Sequence, residues 1–133
     1  MPVITGIHHL SLTVRDGAAS EEFYSRVLGF VPVLHLPDAE GRGAKHVMAH
    51  PASGTVVGFT VHQANDGSAF TEFRTGLDHF ALGISSHAEL DEWIARLDEL
   101  GVEHGDVVKT PVGDYVSLRD PDNVQIELWV DPK

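Results

Sequence analysis

The sequence predicts an α+β fold made of two βαβββ modules. Three observations point to it. A nine-residue stretch, Gly6-Ile7-His8-His9-Leu10-Ser11-Leu12-Thr13-Val14, returns as Gly76-Leu77-Asp78-His79-Phe80-Ala81-Leu82-Gly83-Ile84, so that His9 corresponds to His79. Both copies alternate apolar with polar or small residues, the period of a half-buried strand. After each copy come one helical pattern and three strand patterns in the same order. The correspondence reaches single residues: Arg26 with Arg96, Leu28-Gly29-Phe30 with Leu100-Gly101-Val102, and Pro51 with Pro121. Self-similarity of this kind marks internal duplication of a structural unit.

The first module is expected over residues 4–62. Its first strand puts His9, Ser11 and Thr13 on one face and His8, Leu10, Leu12 and Val14 on the other. Arg15-Asp16-Gly17 is turn chemistry. Ala18 to Leu28 reads as a helix with Ala19, Phe23 and Val27 as its buried stripe, and Gly29 supplies the C-terminal cap. Strands follow over Phe30–Leu36, Ala44–His50 and Thr55–His62. Residues 63–75 are polar and rich in turn formers, the composition of a linker, with Phe70, Phe73 and Arg74 inside it.

The second module, 76–131, repeats the order. Leu77–Ile84 is a strand with His79, Ala81 and Gly83 on one face. His87–Leu100 is a helix with Leu90, Trp93, Ile94, Leu97 and Leu100 on its buried stripe. Ser86 is its N-cap and Glu89 completes a capping box. Val102–Lys109 is a strand, and Asp114–Arg119 and Val124–Val130 form a hairpin around Asp120-Pro121-Asp122-Asn123.

Composition narrows the function. The 133 residues suit one domain with a real core, which two half-size modules can share. Net charge is −11 without a basic cluster, which argues against nucleic acid and anionic membrane as partners. No apolar run approaches the roughly 20 residues of a membrane helix. The first strand starts too near the N-terminus to leave space for a targeting peptide. Without cysteine there is no disulfide or zinc–thiolate site, which fits a cytoplasmic location.

The chemistry gathers on one side of the strands. In the last strand Val124, Ile126, Leu128 and Val130 share the helix-packed face, leaving Glu127 on the other with Gln125 and Trp129. A carboxylate inside Ile-Glu-Leu-Trp-Val needs a partner or a metal, because an unpaired buried charge is expensive. His9, His79 and Glu127 are therefore three ligand-type side chains at equivalent places on repeated strands. Two imidazoles and a carboxylate form a facial set that leaves positions open on a divalent ion. The position matching Glu127 in the first module is Gly58, which has no side chain to offer. His8 falls on the apolar face and reads as structural. His35, His46, His50, His87 and His104 read as surface residues.

These motifs carry a resemblance. His9-Leu-Ser-Leu-Thr-Val14, Phe23-Tyr24 with Leu28-Gly29-Phe30, Gly76-Leu77-Asp78-His79-Phe80-Ala81, and Arg119-Asp120-Pro121-Asp122-Asn123 leading to Glu127 are similar to the vicinal oxygen chelate superfamily. That superfamily includes glyoxalase I, extradiol dioxygenases, fosfomycin-resistance thiol transferases and bleomycin-binding proteins. The resemblance implies paired modules curled into a half-barrel around one divalent metal ion (Fe, Mn, Ni, Co or Zn), with His9, His79 and Glu127 as ligands. It also implies a small-molecule substrate with two adjacent oxygens. Bacterial glyoxalase I carries a proton-shuttling Glu where this chain has Gly58, so the three-ligand set stands closer to the dioxygenases and fosfomycin enzymes.

Around that site His62 is the candidate for acid–base work, against a plain strand-end surface histidine, and Tyr115 is a second proton-handling group. Thr60, Ser117, Arg119 and Trp129 are candidates for the substrate pocket, Arg119 either holding a carboxylate or bracing the Asp120-Pro121-Asp122 turn. The resemblance implies a homodimer, with His9 from one subunit and His79 and Glu127 from the other; the alternative is closure within one chain. The rival to a dioxygenase-like or glyoxalase-like lyase is a metal-free protein that sequesters a small molecule or antibiotic, as bleomycin-resistance proteins do. A third reading is a degenerate module kept for binding or regulation.

Overall fold

Alternating strands need one face covered, and in each half of the chain a single helix covers it. The computed structural model describes residues 1–133 and separates into two units, Met1–Ser68 and Ala69–Lys133. The first unit runs β1 (Leu10–Thr13), α1 (Gly17–Leu28), β2 (Val31–Leu36), β3 (Ala44–Ala49), β4 (Val56–Val61). The second runs β5 (His79–Ile84), α2 (His87–Glu99), β6 (Val108–Thr110), β7 (Gly113–Arg119), β8 (Gln125–Val130). The sheets have the same topology, β1-β4-β3-β2 and β5-β8-β7-β6. In each, the first strand lies parallel to the last and the other pairings are antiparallel. This is the α+β, two-module fold that the repeat predicts.

The helices begin and end where local chemistry dictates. The Asp16 carboxylate accepts from the Ala19 N–H at 3.0 Å, capping α1. Gly29 closes the helix at φ 78°, a left-handed conformation that favours glycine, and the Phe30 N–H returns to the Tyr24 carbonyl. Below α1, Tyr24, Phe30, Met48, Val57 and Phe59 are fully buried. Tyr24 lies 4.6 Å from Phe59 and 6.0 Å from Phe30, ring to ring. The buried stripe is rotated from the expected one. Ala19 is half-buried, and Ser20, Tyr24 and Leu28 join Phe23 and Val27 on the inner face. In α2 only Leu90 and Leu97 are fully buried, while Trp93, Ile94 and Leu100 are half-buried.

Four local expectations are corrected. β1 starts at Leu10, so His8 and His9 precede the ladder. The Glu89 carboxylate accepts from the Ser85 N–H and hydroxyl, one residue before the Ser86 cap that a capping box would use. The strand expected over Val102–Lys109 shrinks to β6 and a single bridge between His104 and Leu118. The Val102 N–H is drawn back to the Leu97 carbonyl of α2, which keeps the start of that segment out of the sheet. Finally, three of the histidines read as surface residues are not free in solvent. His46, His87 and His104 side chains are 24%, 27% and 17% exposed, each beside a carboxylate. His50 is half-buried, its ring edge-on to Phe30.

His104 has a consequence for stability. Its Nδ1 donates to the Gly105 carbonyl at 2.7 Å and its Nε2 to Asp98 at 2.9 Å, so both nitrogens serve as donors. The Gly105 carbonyl, then the Asp98 carboxylate, raise its pKa above the ordinary histidine value. A raised folded-state pKa stabilises the fold fully below the unfolded value of about 6.5, and that contribution is lost as pH rises through the folded value. His104→Gln is therefore expected to lower the urea midpoint more at about pH 5.5 than at pH 9. Equal losses at both would show that the charge contributes nothing.

Candidate metal centre

Strand register assembles the site of the second unit. Glu127 on β8 sits opposite Ala81 on β5 and Ser117 on β7, and Gln125 sits opposite His79 and Arg119. One sheet face therefore carries His79, Gln125, Glu127, Trp129, Tyr115, Ser117 and Arg119. Ala81 and Gly83 share that face, are exposed, and leave the space beside His79 clear.

Glu127 is only 3% exposed, and its charge is met by designated partners. The Gln125 amide donates to Oε1 at 2.8 Å, and the Trp129 indole N–H donates to Oε2 at 2.6 Å. His79 Nε2 lies 3.2 Å from the same Oε2. His79 Nδ1 donates to the Asp78 carboxylate at 2.7 Å. In the tautomer that carries its proton on Nδ1, the imidazole has its lone pair on Nε2, the nitrogen nearest Glu127. A carboxylate that takes the far N–H of a histidine is what orients metal-binding imidazoles generally. The donor set of this unit fits a divalent ion on that ground: one imidazole nitrogen and one braced carboxylate oxygen converge.

The remaining residues fall around or apart from this pair. Tyr115 stacks on Trp129, rings 4.7 Å apart and 17° from parallel, which fixes the indole that holds Glu127. Ser117 is half-buried across from Glu127. Arg119 is engaged: it donates to the two Glu72 oxygens at 2.9 and 3.3 Å and to the Asn123 carbonyl at 3.0 Å. Its guanidinium holds the Glu72 carboxyl below its ordinary pKa.

In the first unit, Gly58 lies opposite Ser11 and Val47, the register that Glu127 has with Ala81 and Ser117. Where the second unit has a carboxylate, this one has a hydroxyl pair under an ammonium group. Thr60 is buried, its Oγ1 3.2 Å from Ser11 Oγ and 3.4 Å from Lys45 Nζ. His62 follows β4 and is half-buried; Gly43 packs so closely that a Cβ there would come within 3.0 Å of its Nδ1. His9 is exposed, its Nδ1 2.9 Å from that of His8 with the rings nearly perpendicular.

Asp78 and Glu72 were absent from the sequence-derived site. Asp78 had a signal, a carboxylate adjoining a strand histidine. Glu72 had none, since its partner lies 47 residues away.

A family model described as Glyoxalase/Bleomycin resistance protein/Dioxygenase superfamily matches residues 6–128. A curated relative, the catechol-2,3-dioxygenase of Bacillus subtilis (strain 168), is 33% identical over 131 residues, which are 96% of this chain but 42% of the length of that protein. A glyoxylase/bleomycin resistance protein/dioxygenase domain from Frankia sp. EAN1pec superposes with a TM-score of 0.86 at 26% identity, covering 98% of this chain and 100% of that one. The fosfomycin resistance protein FosX from Listeria monocytogenes, complexed with Mn(II) and 1S,2S-dihydroxypropylphosphonic acid, shares the fold at 21% identity and a TM-score of 0.71, over 96% and 90% of the two chains.

Proposed function

Because the chain belongs to the Glyoxalase/Bleomycin resistance protein/Dioxygenase superfamily, we propose that it is a metal-dependent enzyme acting on a small substrate with two adjacent oxygens, with ring cleavage of catechols as its leading chemistry. The observation that carries this is the Asp78–His79–Glu127 arrangement, a histidine oriented by one carboxylate toward a second, buried one. The 33% identity to a catechol-2,3-dioxygenase directs the choice of substrate.

His79 Nε2 and Glu127 Oε2 would hold the ion, with His9 as third ligand. A divalent ion so held supplies Lewis acidity to two adjacent oxygens and, as Fe(II), leaves room for dioxygen. The chain's residues do the rest. Asp78 keeps the His79 proton off Nε2. Trp129 and Gln125 hold Glu127 in place. Tyr115 and His62 are the groups able to pass protons at the substrate, and Ser117 and Thr60 offer hydroxyls to it. Gly58 removes the carboxylate base that a glyoxalase-type isomerisation would use, so that lyase or isomerase chemistry ranks second.

A homodimer belongs to this reading, with the partner subunit's His9 completing the ligand set. Met1, Val3, Ile4 and Ile7 are exposed apolar residues next to His9, the kind of surface that a second chain covers.

The test is to load Fe(II) anaerobically, add a panel of catechols, and admit air, with sedimentation of the loaded protein alongside. Oxygen uptake with a yellow ring-opened product, on a dimer, is expected. No uptake, together with hemithioacetal turnover by the Ni(II) or Zn(II) form, would overturn the oxygenase. Tight binding of a small molecule by the metal-free protein, without turnover, would replace it with sequestration. A fully loaded monomer would remove the shared site.

A further inference from the structure

We propose that Glu21, His35 and His46 form a second divalent-metal site, between α1 and the β2–β3 edge of the first sheet. The three side chains come from three elements and converge. Glu21 Oε2 accepts from His35 Nε2 at 2.6 Å and from His46 Nδ1 at 2.8 Å. His35 and His46 are register partners across β2 and β3, their ring centroids 4.5 Å apart. The three ligand atoms lie within 4.8 Å of one another. All belong to the first unit, whereas His79 and Glu127 belong to the second.

The spacing suits an ion. Ligand bonds of about 2.0–2.1 Å in tetrahedral geometry put donor atoms about 3.3 Å apart. The two bonds to Glu21 would open by about 0.6 Å to reach that value. His35 has the freedom to do so, being 60% exposed, while Glu21 and His46 are held at 21% and 24%. Binding replaces two N–H···O bonds with two nitrogen lone pairs and one carboxylate oxygen on one centre; the displaced protons move to His35 Nδ1 and His46 Nε2, or to solvent if the rings are charged, and a fourth position is left for water.

A separate feature keeps the place open. α1 begins at Gly17, and a Cβ there would come within 2.5 Å of His46 Nε2. Any other residue would push the imidazole out of its position beside Glu21. The carboxylate is already maintained in its charged form: burial pushes its pKa up, but the bonds from His46 and His35 outweigh that and lower it. Two imidazoles and a carboxylate suit the late first-row ions, Zn(II) among them, rather than Ca(II) or Mg(II). Such an ion would clip the helix to β2, an edge strand exposed along its whole length.

The test is Zn(II) titration by calorimetry and dialysis, on the full chain carrying Glu127→Ala so that the His79 centre is disabled. That protein is expected to keep one Zn(II) per chain, and to give a visible absorption band with Co(II). Adding His35→Ala, or the milder His35→Gln, is expected to weaken binding by more than about 100-fold, beyond what an outer-shell partner supplies. His35 is 60% exposed, so its replacement leaves the core untouched, and circular dichroism checks the fold. Zn(II) absent from the Glu127→Ala protein, or retained unchanged after His35→Ala, would overturn the second site. The wild-type protein decides the other centre independently, since a loss of one Zn(II) on introducing Glu127→Ala reports on His79 alone.

Discussion

Glu127→Ala is expected to remove one metal equivalent per chain and, on the function proposed above, to abolish ring cleavage, while the far-UV circular dichroism stays that of the wild type. The carboxylate is 3% exposed and is the acceptor for Trp129 and Gln125. On the function proposed above, its loss would strip the centre of its only anionic ligand, leaving imidazole donors that cannot offset the ion's charge. Both former donors are half-buried and regain water, which is why the fold survives. Elemental analysis of the two proteins after identical loading decides the matter. An unchanged metal content would sink the assignment of Glu127. Asp78→Asn separates orientation from ligation in the same assay: affinity should fall by about 10–100-fold, the range for outer partners.

Phe59→Ala is expected to cost about 3–5 kcal/mol, the range for deleting a buried aromatic ring. Phe59 is fully buried on β4, against Tyr24 of α1, so its removal opens a cavity where helix and sheet meet. A domain has about 5–15 kcal/mol of stability in all, so the variant should unfold at a much lower urea concentration. Phe73→Ala is the control. Phe73 is 92% exposed, and its loss should change stability by less than about 0.5 kcal/mol. Similar midpoint shifts for the two variants would contradict the core described above.

The strand faces were legible in the sequence because their period is two and the repeat doubles every observation. His79 and Glu127 share a face for that reason, and the register that matches Gly58 with Glu127 follows from the same parity. Other features escaped because tertiary contacts decide them. The stripe of α1 turned toward Tyr24 once Phe30 and Phe59 supplied aromatic neighbours. Val102–Lys109 has apolar residues fit for a strand, yet the end of α2 holds its first residue by a backbone bond. His35 and His46 looked like solvated histidines because Glu21, which gathers them, is 14 and 25 residues away. Asp78 stood beside a named candidate, but only the geometry showed its oxygen on the Nδ1 side.

The parallel pairing of first and last strands has a bearing on the order of assembly. In the second unit β5 finds its only neighbour, β8, at a separation of 46 positions, as Phe80 meets Ile126. Closing so long a loop is the slow, entropically opposed event in forming such a sheet, since it precedes the contacts that reward it. His79 stands at one end of that loop and Glu127 at the other. The two side chains therefore become neighbours only when the slowest closure has happened. On the function proposed above, an ion held between them would lock a closed sheet and could not template an open one.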